Sequence, residues 1–244
     1  MSGRVLITGA TSGIGRQLAL DYRRSGWQVW GCGRDGERLQ ALADEGIIPL
    51  QFDGRDSAAM AVIAADLPAL DLLILNAGNC EYMDLVEGFD GALFARVIET
   101  NLIATGHALA AFLPRLVSGS RLAIVGSSVS WLPLPRAEAY GASKAALGYL
   151  AATLRLDLAT RGIGVTLIRP GFVQTPLTAK NDFPMPCLVT VEEASRAIMS
   201  GLAAGHHQIH FPRRFIWLLR LLGALPTGLW LRLGRTLTSK GSPS

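Results

Sequence analysis

Cysteine is scarce: Cys32, Cys80 and Cys187 are the only ones in 244 residues, and they lie far apart. They are too few for the disulfide framework of a small secreted protein and lack the paired spacing of a zinc site. That fits a reducing compartment and points to a cytoplasmic location. Long hydrophobic runs are missing too, none reaching the roughly 18 residues a spanning helix needs. Met1-Ser2-Gly3-Arg4 lead straight into Val5-Leu6-Ile7, so neither a signal peptide nor an integral membrane protein is expected. Charged residues make up only 17% and hydrophobic ones 50%, which excludes disorder over most of the length. Acidic residues are absent after Glu193, whereas 7 of the 23 basic ones follow it, leaving a net charge of −3 on the first 193 residues. The positive excess therefore belongs to the tail. It gives the main part of the chain no reason to bind nucleic acid.

What is present is an alternation of short apolar runs and longer helical patterns. Strands are expected at 5–8, 28–32, 48–52, 72–75, 122–125, 165–168 and 208–211, and helices near 14–25, 37–44, 57–66, 89–112, 140–160 and 191–203. Several strands are apolar almost throughout, as strands covered on both faces are. Thr190-Val191-Glu192-Glu193 reads as a capping box opening the last helix, and Gly162 and Gly164 bracket the stop of the helix before it. Strand and helix in regular alternation mean an α/β fold: a doubly wound parallel sheet of about seven strands with helices on both faces. One domain is expected over 1–211, followed by an apolar, basic helical extension over 212–244.

The first strand runs into Thr8-Gly9-Ala10-Thr11-Ser12-Gly13-Ile14-Gly15. Glycines between a strand and a helix let the backbone turn tightly and approach a pyrophosphate, whose charge then sits at the helix N-terminus. The spacing is Gly-x3-Gly-x-Gly rather than the commoner Gly-x-Gly-x2-Gly. Further on, Tyr140 and Lys144 stand four residues apart at the start of a helix, on one face. An ammonium beside a phenol favours phenolate and lowers the tyrosine pKa, making a general acid for a carbonyl oxygen.

Together with Asn76-Ala77-Gly78 after the fourth strand, Asn101 in Glu99-Thr100-Asn101, a serine after the fifth strand and Pro170-Gly171-x3-Thr175 after the sixth, these motifs resemble the short-chain dehydrogenase/reductase family over nearly all of residues 3–212. The resemblance implies a Rossmann-like fold and an oxidoreductase passing hydride between a nicotinamide cofactor and a carbonyl/alcohol substrate. It makes Tyr140 the proton donor or acceptor and sets Lys144 on the nicotinamide ribose. It also makes a serine the group that steadies the carbonyl, and Asn101 the anchor of a water-linked proton relay. Ser127 stands 13 residues before Tyr140, the family's usual spacing, and Ser128 would need a one-residue deletion. Asn76, Ala77 and Gly78 are implied to support the sheet beside the adenosine. Pro170, Gly171, Val173 and Thr175 are implied to meet the nicotinamide amide or the pyrophosphate, alongside Gly9, Thr11, Ser12, Gly13, Ile14 and Gly15.

The end of the second strand reads Gly31-Cys32-Gly33-Arg34-Asp35. A ribose 2′-hydroxyl calls for a carboxylate there, a 2′-phosphate for a cation. Gly33 stands where NAD-preferring relatives carry Asp, and Arg34 follows. This favours NADP(H) and leaves NAD(H) open, since Asp35 could swing inward or pair with Arg34. Asp53 resembles the residue that bonds the adenine amino group, or is a turn aspartate. His206-His207-x2-His210 suggests metal, but alternation along a strand separates these side chains, so no metal is expected. His107 reads as a packed or interface residue. Residues 181–188 fall where relatives place a substrate lid; Phe183, Met185 and Leu188 would either give it an apolar inner surface, suggesting a hydrophobic substrate, or simply pack against the body.

Relatives associate through their two long helices, here 89–112 and 140–160, so a homodimer or homotetramer is expected. The tail, with Trp and Arg flanking leucines from Arg213 to Leu222 and again from Leu229 to Leu233, has the composition of an interfacial helix on an anionic membrane. It also suits a helical pair covering the domain or a neighbouring subunit. A rival reading of the whole chain is a non-catalytic dinucleotide-binding sensor or scaffold held at a membrane by this tail.

Overall fold

The computed structural model describes residues 3–84 and 88–238. Strands β1 (Arg4–Thr8), β2 (Gln28–Gly33), β3 (Ile48–Gln51), β4 (Leu70–Leu75), β5 (Leu116–Val125), β6 (Gly164–Pro170) and β7 (Gln208–Phe211) form one sheet. Its order is β3-β2-β1-β4-β5-β6-β7, with every pairing parallel. The helices are α1 (Gly13–Arg24), α2 (Gly36–Asp44), α3 (Ser57–Ala65), α4 (Gly91–Ile98), α5 (Ala104–Phe112), α6 (Glu138–Ala159), α7 (Val191–Ala203), α8 (Arg213–Gly223) and α9 (Thr227–Thr238).

The strands are apolar on both sides because both sides are covered. Val5 and Ile7 of β1 pack with Leu18 of α1, Leu42 of α2 and Ile198 of α7. Leu6 between them enters the opposite layer, with Met60 of α3, Phe112 of α5 and Leu147 of α6. Each such side chain, removed from water, contributes roughly 1.5–3 kcal/mol. Asp35, Asp56 and Asp90 cap the first turns of α2, α3 and α4 through their carboxylates, and Thr190 and Glu193 form the expected capping box of α7.

From β1 the chain winds outward to β2 and β3, then returns to the other side of β1 as β4. The carboxyl ends of β1 and β4 therefore part into a crevice, the place where such sheets take ligands. Asn76 holds its floor together. Its side-chain amide donates to the carbonyls of Thr8 (3.0 Å) and Gly9 (3.2 Å), and its backbone N–H donates to the Thr8 hydroxyl (3.0 Å).

Two stretches depart from the sequence reading. β5 starts at Leu116, not Leu122: Val117-Ser118-Gly119-Ser120 looks like a turn, but the Ser120 hydroxyl bonds the Leu70 carbonyl across an irregular register and keeps the segment in the sheet. The helix expected over 89–112 begins at Gly91 and widens into one π turn at Glu99–Ile103 between α4 and α5.

The tail folds back on the body. Phe215, Ile216 and Leu219 of α8 and Trp230 of α9 bury against Leu132, with Trp131, Leu134 and Phe172 around them. The Trp230 indole N–H donates to the Pro133 carbonyl at 3.0 Å. The helices meet at a bend of 117°, and no single helix among the described residues is long and apolar enough to cross a membrane. Of the basic residues counted in the tail, Arg235 and Lys240 have side chains outside the described ones.

Candidate active site

The crevice at the β1/β4 switch is a cleft of about 950 Å³. Of the residues assigned to catalysis or cofactor binding from the sequence, all line it except Gly15 and Asn101, which stand behind its wall. Gly9 (φ 66°) and Gly13 (φ 52°) turn the loop through the left-handed region. A side chain at Gly15 would collide with the Gly9 carbonyl and the Asn76 amide, so only glycine lets α1 start this close to the sheet. Ser12 makes no side-chain cap to α1, and no acidic residue sits in its first turn, which leaves the amides and the positive end of the helix dipole facing the cleft. That donor set fits a pyrophosphate.

At the far end, Gly33 lies under Thr11. A β-carbon at Gly33 would run into the Thr11 methyl, with the Thr11 hydroxyl at 3.3 Å. Asp35 does not swing inward. Its carboxylate caps α2 at the Arg38 N–H (3.1 Å) and pairs with the Arg38 guanidinium (3.2 Å). The Arg34 guanidinium is 3.8 Å from Asp53 and mostly in solvent. Asp53 is gripped at 2.7 Å by Arg55, whose hydrogen bonds hold its carboxyl down at about 2. Arg38 and Arg55 line the cleft beside Arg34. Sequence reasoning missed both, although Arg38 follows Arg34 at the i, i+4 spacing that puts two side chains on one side of a turn.

The opposite end of the cleft is built by β5 and α6. Ser127 follows β5, lines the cleft and hydrogen-bonds the Tyr140 phenol; Ser128 is buried and outside the lining. The Ser127 hydroxyl also accepts the Val129 N–H at 3.3 Å. Lys144 is buried, its ammonium donating to the Val125 carbonyl at 3.0 Å and lying 5.8 Å from the Tyr140 ring centroid. Burial dominates both charges. It pushes the Tyr140 phenol above its ordinary 10, the Cys80 thiolate adding to the rise and the Ser127 hydrogen bond opposing it. It brings the Lys144 ammonium down to about 8. In this structure burial sets the sign of the phenol's shift, and the Lys144 ammonium, turned toward the Val125 carbonyl, is not among its causes.

Asn101 sits in the π turn, wholly buried. Its side-chain carbonyl accepts the Asn79 N–H (2.8 Å), and its amide donates to the Asn79 carbonyl and the Ser143 hydroxyl, both at 2.9 Å. Ser143 in turn donates to the Tyr140 carbonyl at 2.7 Å. A β-carbon on Gly78 would stand 2.9 Å from the Asn101 side-chain oxygen and 3.3 Å from the Lys144 nitrogen, so a bare Gly78 is what allows this approach. Asn101 thus ties the loop after β4 to the turn of α6 that carries Tyr140.

Pro170, Gly171, Val173 and Thr175 close the cleft from the β6 side. The Thr175 methyl stands 3.1 Å from a β-carbon position on Gly13, across the mouth. Beyond Tyr140, the phenol of Tyr82 bonds Cys80 and Asn181, and its ring meets Phe183 edge-on at 5.2 Å. Phe183 also faces Phe172 (6.1 Å), and Arg136 clasps Asp182 at 2.9 Å. Phe183 and Met185 are half-buried as expected of an inner surface, but Leu188 is exposed and is no part of one. His107 is half-buried and bonded to the Gly54 carbonyl at 3.3 Å. The described residues contain no group of side chains able to hold a metal ion.

Residues 4–184 match the family model described as short chain dehydrogenase. An uncharacterized oxidoreductase of Myxococcus xanthus is 35% identical, over 92% of this chain and 93% of its own. A short chain dehydrogenase from Burkholderia cenocepacia, solved in complex with NADP, superposes with a TM-score of 0.85 at 25% identity, covering 95% of this chain and 97% of its own. The closed form of a serine dehydrogenase complexed with NADP+ gives 0.77 at 28% identity, over 85% and 94%.

Proposed function

Because the chain belongs to the short-chain dehydrogenase family, and is thereby an oxidoreductase, we propose that it uses NADP(H) on a carbonyl/alcohol substrate of apolar character, with Tyr140, Ser127, Lys144 and Asn101 as its working set. The observation that carries this reading is the convergence of the Tyr140 phenol, the Ser127 hydroxyl and the Lys144 ammonium on one cleft whose other end is a bare glycine loop at an open helix N-terminus.

The cofactor would lie with its pyrophosphate on Ser12, Gly13 and Ile14, its adenine beside Asp53 and its 2′-phosphate between Arg34 and Arg38. NADP in two similar solved proteins supports the choice, as does the Thr11 methyl that leaves no room for a carboxylate at position 33. When bound, the cofactor supplies hydride to the carbonyl carbon. The chain's own residues then handle the oxygen. Ser127 O–H donates to it and fixes its position, and Tyr140 gives up the phenolic proton as negative charge develops there. A buried phenol with a raised pKa stays protonated at neutral pH, which suits reduction. Lys144 holds a positive charge below about pH 8 behind the phenol and stabilises the phenolate left behind. Asn101 positions the loop and the helix turn between which these groups act. The apolar character of the substrate rests on Tyr82, Phe172 and Phe183 at the reactive end.

Self-association belongs to the same proposal. Ile103, Tyr149 and Leu156 stand out into solvent near or on the long helices, apolar faces of the kind a neighbouring copy covers. A non-catalytic sensor gives no account of a lysine buried behind a tyrosine at the cleft.

The decisive experiment is Tyr140→Phe. NADPH-linked turnover of a panel of lipid-like, steroid and small carbonyl compounds should vanish, while NADPH binding, followed by its fluorescence, survives. Full turnover in the variant would remove Tyr140 from the chemistry.

A further inference from the structure

The tail helices are amphipathic in a way that packing alone does not explain. Their inner residues, Phe215, Ile216, Leu219 and Trp230, already cover the body. Yet the outer residues are also large and apolar: Trp217 is 66% exposed, Leu218 53%, Leu221 68%, Leu229 45% and Leu231 53%. Interleaved with them are Arg213, Arg214, Arg220 and Arg232, all exposed, and none is in an ion pair among the described residues. Arg220 lies over the rings of Trp131 (5.5 Å) and Trp217 (5.7 Å), so its charge is held at the edge of the patch.

Charge and geometry narrow the occupant. No acidic residue follows Glu193, so nothing in the tail's own sequence offsets these arginines. A second copy docking face to face through the same patch, around a two-fold axis, would set arginine against arginine. A helix of 11 residues spans about 16 Å, half of the roughly 30 Å hydrocarbon layer, and the 117° bend prevents α8 and α9 from acting as one rod. Tryptophan and leucine ringed by arginine suit the boundary between headgroups and acyl chains, with the arginine heads among anionic phosphates.

We propose that the outward face of α8 and α9 is a docking surface for an anionic lipid bilayer, on which the protein lies peripherally without crossing it. Trp217, Leu218 and Leu221 enter the boundary region and Arg213, Arg214 and Arg232 meet the phosphates. Docking needs neither cofactor nor turnover, so its failure and that of the catalytic reading are separable.

The test is flotation of the full-length protein with phosphatidylglycerol-containing vesicles against pure phosphatidylcholine vesicles. The wild type should float with the anionic vesicles at least about ten times more than with the neutral ones. Trp217→Glu/Leu221→Glu and, separately, Arg214→Glu/Arg232→Glu should return flotation to background. An unchanged melting temperature shows the variants folded, since all four side chains are exposed. Absence of wild-type flotation overturns the proposal, as does equal flotation of the glutamate variants. So does a wild type that stays off vesicles but sediments as an oligomer that Trp217→Glu/Leu221→Glu splits, for the face would then join copies of the chain.

Discussion

Replacing Gly33 tests the cofactor reading at its tightest point. An aspartate there is what a 2′-hydroxyl calls for, yet its β-carbon would collide with the Thr11 methyl, while the Thr11 hydroxyl and β-carbon stand off at 3.3 and 3.4 Å. Gly33→Asp alone should therefore overpack the junction of loop and strand, at a cost of about 1–3 kcal/mol, and weaken NADPH and NADH alike. Thr11→Ser removes only the colliding methyl and keeps the hydroxyl. In the double variant the carboxylate fits. At an effective dielectric constant of about 20, one pair of like charges at a contact separation of about 5 Å repels by roughly 3 kcal/mol, equal to about a hundredfold in specificity. The assay is the ratio of kcat/KM for NADPH to that for NADH, measured with one carbonyl substrate. It should favour NADPH in the wild type and fall by about two orders of magnitude in Thr11→Ser/Gly33→Asp. A double variant whose ratio matches that of the wild type would refute the reasoning. So would a single Gly33→Asp that takes NADH as well as the double does.

Lys144 should leave a mark on stability against pH. Its pKa falls from 10.5 in the unfolded chain to about 8 in the fold, so between those values the unfolded state holds the proton and the native state does not. Stability from this group therefore rises with pH across that window, by about 2–3 kcal/mol between pH 7 and 10 at roughly 1.4 kcal/mol per unit. Urea unfolding of wild type against Lys144→Met isolates it from the other titrating groups, and a difference that stays flat with pH would contradict the buried ammonium. Asn101→Ala removes both hydrogen bonds to the Asn79 backbone and the one to Ser143, leaving two half-buried Asn79 backbone groups unpaired at about 1–3 kcal/mol each. It should lower the melting temperature and kcat while the KM for NADPH changes little. A large rise in that KM alone would place Asn101 in cofactor binding instead.

Local signals carried much of the fold. The bounds of α7 and β7 were legible because Thr190 and Glu193 write the start of one and apolar alternation the whole of the other. The π turn at Glu99–Ile103 has no periodicity to betray it, and the early start of β5 depends on Ser120 reaching Leu70, a contact 50 residues apart. In the site, spacing placed Tyr140 and Lys144 on one face, but the sign of the tyrosine's shift depends on burial, which no spacing encodes. Arg38 reads as one more solvated helix residue until β2 and the glycine loop are folded beside it. Asp35 could be settled only by its cap and its ion pair.

Phe215 of α8 presses its ring against Gly171, 3.0 Å from where a β-carbon would be, and meets Phe172 at 5.6 Å. The rear of the segment that bounds the cleft is thus backed by α8. Trimming the chain after β7, as one would to make a minimal enzyme, strips that backing and exposes the Phe172 ring on the connection that leaves β6. Conversely, any body that leans on α8 from outside presses, through Phe215, on the wall that bounds the cleft at Gly171.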